Sequence, residues 1–234
     1  GYSFCKAHSA SYAVESYQSL YLKVYYPVEF MVAVINNQGG FYRTEVYIHE
    51  ARMSGGTIHN PCVNKSEYQT TVYGTDIYLG FMHLQSLESK TAHLIESDRE
   101  KNGDFLSLED FINRIPIGIE SMKILIFIDA FRFTGKTKNQ LLVIASLLLN
   151  NFKPENRSLM LLQEPVKEYK LPTLERSLYE DAFDEIELLS FPVSCTVFDL
   201  LQTKHRGDIM AKDLVVHHKK QVRMLAYLIS IKQV

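Results

Sequence analysis

The chain has 234 residues, enough for one large domain or two small ones, and 46% of them are hydrophobic, as in an ordinary globular protein. Its 25 lysines and arginines nearly balance its 27 aspartates and glutamates, so the net charge of −2 excludes a globally basic protein but not a local basic patch. Three scattered cysteines indicate neither a disulfide framework nor a zinc site, and no apolar run is long enough to span a bilayer; we therefore expect a cytoplasmic setting and no membrane partner.

The first part of the chain is predicted to be a layer of three helices. From Ser9, a candidate N-cap, apolar residues recur at helical spacing as far as Val24. Pro27 suits the first turn of a second helix, which a pair of glycines ends. A third helix is predicted over residues 41–53.

The pattern then changes to a small β-hairpin followed by two pairs of helices. Two β-rich segments surround a turn at Gly74, within residues 68–80. Helices are predicted over residues 86–100, 108–114, 120–131 and 138–149, and Ser107 with Asp110 caps the second of them. The fold class is therefore mainly α with a small β-hairpin.

Prolines and charged residues after residue 150 predict an extended linker that contains short helices. A helix over residues 175–189 is predicted to turn its acidic residues, including Asp181, Asp184, Glu185 and Glu187, towards solvent. Residues 223–231 are predicted to form a strand without a following partner, and ends of this kind favour a chain cut from a larger protein.

Four segments carry a family resemblance. Residues 1–13, GYSFCKAHSASYA, resemble the G-Y-x-F-x-K-x-H-[SA]-x-x-Y-A signature in the fingers of the C family of bacterial replicative DNA polymerases. Residues 47–52, 63–68 and 105–111 are similar to further landmarks of that family, in the same order. Several matches in order, spread over most of the chain, are much more specific than any one of them.

The resemblance implies four regions. Residues 1–83 would be the C-terminal part of the fingers with the β-hairpin, and residues 84–150 a tandem helix-hairpin-helix region that binds DNA. Residues 151–221 would be a linker with a clamp-binding peptide, and residues 222–234 the first strand of a truncated OB fold. The metal-binding aspartates of the family lie in a palm upstream of Gly1.

The resemblance therefore implies a piece of a DNA-directed DNA polymerase, a nucleotidyltransferase, that is inactive by itself. No catalytic or metal-binding residue and no cofactor is assigned to this chain, whereas magnesium is implied for the parent enzyme. The implied partners are primer–template DNA, a deoxynucleoside triphosphate, the sliding clamp and other replicase subunits. The alternative is a non-enzymatic helical scaffold that binds DNA or protein.

Two groups of residues are candidates for contact with nucleotide and DNA. Lys6 and His8, beside the start of a helix, are implied to contact the triphosphate, and the alternative is a solvated lysine and a capping histidine. The second helical pair would contact duplex DNA through Arg132, Gly135, Lys136 and Lys138, in a stretch with five basic residues and one acidic residue (132–157). Residues 84–87 lack the glycines expected of the first hairpin, which favours a structural role there.

The third candidate lies in the linker. The clamp-binding peptide of the family has a glutamine followed by small, leucine and aromatic residues, and Asn156, Ser158, Leu159 and Met160 occupy the matching place. Leu159 and Met160 could fill a hydrophobic pocket of the clamp or, equally well, pack on the core of this chain.

Overall fold

A computed structural model describes residues 5–151 and 177–231 of the chain. It confirms the mainly α-helical fold with a small sheet. The helices of the described part are Lys6–Tyr25 (α1), Pro27–Asn36 (α2), Thr44–Met53 (α3), Ser89–Asn102 (α4), Leu108–Arg114 (α5), Ile119–Phe127 (α6), Lys138–Asn151 (α7) and Leu178–Leu189 (α8). The strands are Thr57–His59 (β1), Thr71–Tyr73 (β2) and Asp76–Tyr78 (β3). None of the described helices combines the length and apolarity that crossing a membrane requires.

The first helix begins earlier than its sequence pattern predicts. Cys5 is the N-cap, and Ser9 lies inside the first turns, where its Oγ donates to the carbonyl oxygen of Cys5 at 3.3 Å. A serine that bonds back to the carbonyl four residues earlier continues a helix instead of starting one. Pro27 occupies the first turn of α2, as predicted. All the side chains of α1 are exposed, whereas α2 and α3 bury apolar residues against each other.

The predicted β-hairpin is confirmed, and a third strand joins it. β2 and β3 pair antiparallel around Gly74, whose φ of +64° suits the turn. β1 pairs with β3 in parallel, so the strand order is β1-β3-β2 and Ile58 lies beside the fully buried Ile77. Three residues of β1 are too few to show an alternating pattern, which explains why the sequence did not predict this strand.

The chain leaves the hairpin through a close backbone crossing at Gly80. A Cβ on Gly80 would lie 2.3 Å from the carbonyl carbon of Gln69 and 2.4 Å from the carbonyl oxygen of Tyr68. The buried Thr70 hydroxyl accepts from the Gly80 amide at 3.2 Å and lies 2.9 Å from Nε2 of His83. Burial lowers the pKa of His83 to about 4, so its ring is neutral in the folded protein at neutral pH.

The main core lies among α4, α5, α6 and α7. Its centre is a row of fully buried phenylalanines, in which the ring centroids of Phe105 and Phe111 are 4.8 Å apart and those of Phe111 and Phe131 are 4.9 Å apart, both edge to face. The predicted cap of α5 is confirmed, since Ser107 Oγ accepts from the Asp110 amide at 3.1 Å. This core fixes the two turns that connect α4 to α5 and α6 to α7.

The acidic helix α8 closes the other side of this core, and the prediction that its carboxylates all face solvent is wrong. Glu185 is 2% exposed. Its Oε1 accepts from Nδ2 of Asn60 at 2.6 Å, and its Oε2 accepts from the amides of Val193 and Ser194 at 2.7 and 2.8 Å and from Ser194 Oγ at 3.0 Å. A buried carboxylate with four donors joins α8 to the loop after β1 and to the chain that follows the helix.

The end of the chain differs from the predicted terminal strand. Gly207 and Met224 form one isolated antiparallel bridge, and residues 225–231 belong to no strand. A strand needs a neighbour for its backbone hydrogen bonds, and none of the described segments lies beside these residues as a ladder partner. The OB fold itself stays a prediction.

Candidate nucleic-acid interface

The turn between α6 and α7 is sharply bent and closed by backbone hydrogen bonds. After α6, the Asp129 amide donates to the Ile126 carbonyl at 3.0 Å and the Ala130 amide to the Leu125 carbonyl at 2.9 Å, while Asp129 has a φ of +63°. The buried ring of Phe131 then anchors the turn in the core. Gly135, with a φ of +67°, reverses the chain before α7, as the predicted turn requires.

The start of α7 leaves two amides open at the surface. Thr137 and Gln140 cap the helix reciprocally: Thr137 Oγ1 accepts from the Gln140 amide at 3.3 Å, and Gln140 Oε1 accepts from the Thr137 amide at 3.0 Å. The amides of Gly135 and Lys136 are occupied by the Arg132 carbonyl and by Thr134 Oγ1. Within the described residues, no acceptor faces the amides of Lys138 and Asn139.

Of the two lysines predicted to contact DNA in this turn, only Lys136 is free at the surface. The Lys136 side chain is exposed and has no ion pair within the described structure. Lys138 is 13% exposed, and its Nζ lies 2.8 Å from Asp181 Oδ1 and 2.5 Å from Asp184 Oδ2. Two carboxylates from α8 therefore neutralise Lys138, and the structure assigns this side chain to holding α8 against the start of α7.

Arg132 also serves the fold. Its Nη1 donates to the carbonyl oxygens of Pro61 and Asp129 at 3.1 and 3.2 Å, and its Nη2 donates to that of Asn60 at 3.0 Å. The guanidinium thus ties the turn to the loop that follows β1 and is not presented to solvent as a phosphate ligand. Gly135 and Lys136 are the two predicted residues that stay at the surface of this turn.

Sequence reasoning missed Asn139 and the open amides at the start of α7. The T-x-x-Q spacing of Thr137 and Gln140 was the signal that could have located this helix terminus. Amides at a helix N-terminus point outward and carry partial positive charge, so together with Lys136 they form a surface suited to a phosphate oxygen. We call this surface, comprising Gly135, Lys136 and the amides of Lys138 and Asn139, the phosphate turn.

The turn between α4 and α5 has the opposite chemistry. Gly103, with a φ of +81°, ends α4, and the guanidinium of Arg114 folds back over the turn. Arg114 pairs with Asp98 at 2.6 Å and Asp110 at 3.0 Å, donates to the carbonyls of Gly103 and Asp104, and lies 4.1 Å from the centroid of the Phe105 ring. Because the guanidinium of Arg114 is paired within the turn and carboxylates lie around it, this turn offers no phosphate site.

Residues 84–87, which were expected to be the first hairpin, lie outside this turn, and the Gln85 amide donates to the Leu188 carbonyl at the end of α8.

Lys6 and His8 lie in the first turn of α1, where both side chains are exposed. No acidic residue occupies this turn, and among the described residues, which begin at Cys5, no side chain caps it, so the positive end of the helix dipole lies beside the two basic side chains. The predicted clamp-binding residues Asn156, Ser158, Leu159 and Met160 lie outside the described residues. In the described part of the chain, no group of three or more His, Cys, Asp or Glu side chains is placed to hold a metal ion.

Comparison with known proteins places this arrangement in a family context. The family model described as a helix-hairpin-helix motif matches residues 55–141, which include both turns. A protein named DNA polymerase III subunit alpha from Borreliella burgdorferi is 31% identical over 210 residues, covering 83% of this chain. This chain is a relative of DNA polymerase III alpha subunits.

Two further alpha subunits support this relationship. That of Thermus aquaticus is 37% identical over 116 residues, covering 49% of this chain, and that of Staphylococcus epidermidis is 29% identical over 240 residues, covering 95% of it. The matched parts amount to 10% of the Thermus aquaticus alpha subunit, 18% of the Borreliella burgdorferi one and 22% of the Staphylococcus epidermidis one. The chain therefore spans less than a quarter of the length of each of these relatives.

Proposed function

We propose that this chain acts within a DNA-directed DNA polymerase and positions duplex DNA through the phosphate turn. The observation that carries the proposal is the helix-hairpin-helix match over residues 55–141, in which the second turn presents an exposed lysine beside two open amides. The similarity to alpha subunits over 83% of the chain supports the same assignment.

Duplex contact at this turn would be independent of base sequence. Amides and a lysine recognise phosphate oxygens, which every base pair carries alike. Because one lysine and one helix terminus form the surface, the phosphate turn supplies about one phosphate contact. Binding through it is therefore weak, and it contributes about −1 to the slope of log K against log salt. Such a contact fixes the register of a duplex for chemistry that is performed elsewhere in the polymerase.

The chemistry itself is proposed to lie outside this chain. Lys6 and His8 would contact the triphosphate of the incoming nucleotide from the open first turn of α1, where the helix dipole favours an anion. Magnesium, when bound in the parent enzyme, would neutralise charge on the transferring phosphoryl group. The chain alone is therefore expected to give no primer extension with magnesium, a template-primer and all four deoxynucleotides, and extension by the pure chain would contradict the proposal.

The linker is proposed to hold the polymerase at a sliding clamp through residues 156–160. A linker converts capture by a clamp into a high local concentration at the primer end. The full chain is expected to bind an immobilised bacterial clamp, and replacing Leu159 and Met160 with alanine is expected to abolish that binding. Equal binding by the wild type and the double variant would remove the clamp from the proposal.

Duplex binding is tested by fluorescence anisotropy with a labelled 20-base-pair DNA over a series of NaCl concentrations. Lys136→Gln is expected to weaken binding and to reduce the slope of log K against log salt by about one. Lys101→Gln is the matched control, because Lys101 is also exposed and lies at the end of α4, beside the turn that offers no phosphate site. An unchanged slope for Lys136→Gln, or equal losses in both variants, would contradict the proposed role of the turn.

A further inference from the structure

The two halves of helix α8 are held to the fold in different ways. In the second half, the carboxylate of Glu185 is buried, and Leu188 and Leu189 belong to the main core. In the first half, residues 178–184, only Ala182 is buried. The apolar side chains that this half leaves exposed are those of Leu178, Tyr179 and Phe183. Hydrophobic burial therefore contributes little to holding residues 178–184, which we call the acidic strap.

Two ion pairs hold the acidic strap to the start of α7. Nζ of Lys138 lies 2.8 Å from Oδ1 of Asp181 and 2.5 Å from Oδ2 of Asp184. The Asp184 side chain is 25% exposed and lines a cleft of about 450 Å³ between α6 and α8, which is wide enough for water. Ion pairs that water reaches are screened by salt, so another anion can replace one of their partners.

Lys138 takes part in both the phosphate turn and the acidic strap. Its backbone amide is one of the two open amides of the phosphate turn, whereas its side-chain ammonium is paired with the strap. Helix α8 contains no lysine or arginine, and its acidic residues are Glu180, Asp181, Asp184, Glu185 and Glu187. Carboxylates and DNA phosphates are both anions that pair with an ammonium, so the strap and a duplex compete for Lys138.

The acidic strap can separate from α7 and remain a helix. Ser177 Oγ caps α8 by accepting from the Tyr179 amide at 3.3 Å, and two acidic residues lie in the first turn, where the helix dipole favours negative charge. Glu185 anchors the second half through its four hydrogen bonds, which do not involve Lys138. Breaking the Lys138 pairs therefore releases the strap and leaves the anchor of α8 in place.

We propose that the acidic strap inhibits duplex binding at the phosphate turn by occupying Lys138 in place of a DNA phosphate. When the strap lifts from α7, Lys138 becomes the second lysine of the turn, and the number of phosphate contacts rises from about one to about two. The inhibition rests on the proposed function of the phosphate turn and adds a regulation of that same site.

The test uses the full chain and the labelled 20-base-pair DNA, with anisotropy measured over a series of NaCl concentrations. The strap variant Asp181→Asn/Asp184→Asn removes both carboxylates that pair with Lys138. We expect it to bind the duplex about five- to tenfold more tightly at 100 mM NaCl and to steepen the slope of log K against log salt by about one. The control Glu180→Gln/Glu187→Gln removes two exposed charges from the same helix and is expected to bind within about twofold of the wild type, with the same slope.

Removing Lys138 separates the release of this lysine from the loss of negative charge near the DNA. In a Lys138→Gln background, the strap substitutions are expected to leave the salt slope unchanged, because no ammonium is there to be released. An equal gain with and without Lys138 would overturn the proposal, as would equal binding by the strap variant and the control variant. Lys136→Gln reports separately on the proposed function: if it leaves the slope unchanged while the strap variant gains a contact that needs Lys138, the role of Lys136 is wrong and the inhibition stands.

Far-ultraviolet circular dichroism and urea unfolding check that the strap variant folds, which we expect because the anchor at Glu185 is intact. Asp184→Asn alone is the milder variant, since it leaves Asp181 beside Lys138. It is expected to bind the duplex about two- to threefold more tightly than the wild type at 100 mM NaCl. If the double variant does not fold, an unchanged affinity of the Asp184→Asn protein would overturn the proposal.

Discussion

Replacing Glu185 with alanine is expected to destabilise the fold by about 2–6 kcal/mol. The substitution leaves four donors without an acceptor, and two of them stay shielded from water: the amide of Val193, which is 8% exposed, and Nδ2 of Asn60, which is half-buried. A buried donor left unpaired costs about 1–3 kcal/mol, whereas the exposed Ser194 amide and hydroxyl regain water. Arg52, whose pKa is lowered by burial and raised by Glu185, also loses its nearby carboxylate.

Glu185→Gln separates the charge from the hydrogen bonds. The glutamine oxygen can accept from Val193 and Ser194, but its amide then faces Nδ2 of Asn60. Rotation of the Asn60 amide relieves that conflict and brings its buried Oδ1, which has no partner in the described structure, to the new donor. The loss for Glu185→Gln is therefore expected to be smaller than for Glu185→Ala, about 1–2 kcal/mol from charge-assisted bonds that become neutral.

Urea unfolding followed by far-ultraviolet circular dichroism at pH 7 measures both variants. Glu187→Ala is the control, because Glu187 lies on the same helix and is exposed, and it is expected to stay within about 0.5 kcal/mol of the wild type. A Glu185→Ala protein as stable as the Glu187→Ala protein would refute the reasoning. It would show that the carboxylate does not hold α8 to the rest of the fold.

Three further stability predictions follow from the described contacts. Because burial holds the pKa of His83 at about 4, against an ordinary 6.5, His83 takes up a proton in the unfolded chain at a higher pH than in the folded protein. The stability that neutral His83 contributes is therefore complete above pH 6.5 and falls by up to about 3 kcal/mol between pH 6.5 and 4. His83→Gln should flatten this part of the plot of unfolding free energy against pH, measured in urea titrations. Gly80→Ala is expected to cost more than about 3 kcal/mol of stability in thermal unfolding, because the added Cβ meets backbone atoms. The control Gly118→Ala, whose Cβ meets nothing within 4 Å, should cost less than about 1 kcal/mol. Similar costs for the two variants would argue against the close backbone crossing at Gly80. Arg114→Lys is expected to cost about 2–4 kcal/mol in urea unfolding, since an ammonium cannot keep the forked contacts, and the exposed Arg43→Lys should be neutral.

The division of charge between the two turns has a functional consequence. In the first turn, Arg114 is surrounded by carboxylates and backbone carbonyls, whereas in the second turn Lys136 stands alone beside open amides. A tandem pair of similar helical hairpins therefore presents one structural turn and one turn suited to phosphate. The sequence already pointed to a structural first pair, although through residues 84–87, which lie before α4.

The sequence determined by itself those features that depend on neighbours within a few positions. Helical periodicity, the cap at Ser107, the turns at Gly74 and Gly135 and the ordered matches to a polymerase family are all local patterns, and each was available without coordinates. Only the tertiary structure decided which charged side chains are free. Lys138 meets Asp184 from 46 residues away, and Arg132 meets Asn60 from 72 residues away, so no spacing rule along the chain could separate them from Lys136. A lysine binds phosphate only if no carboxylate reaches it first, and that competition is settled by packing.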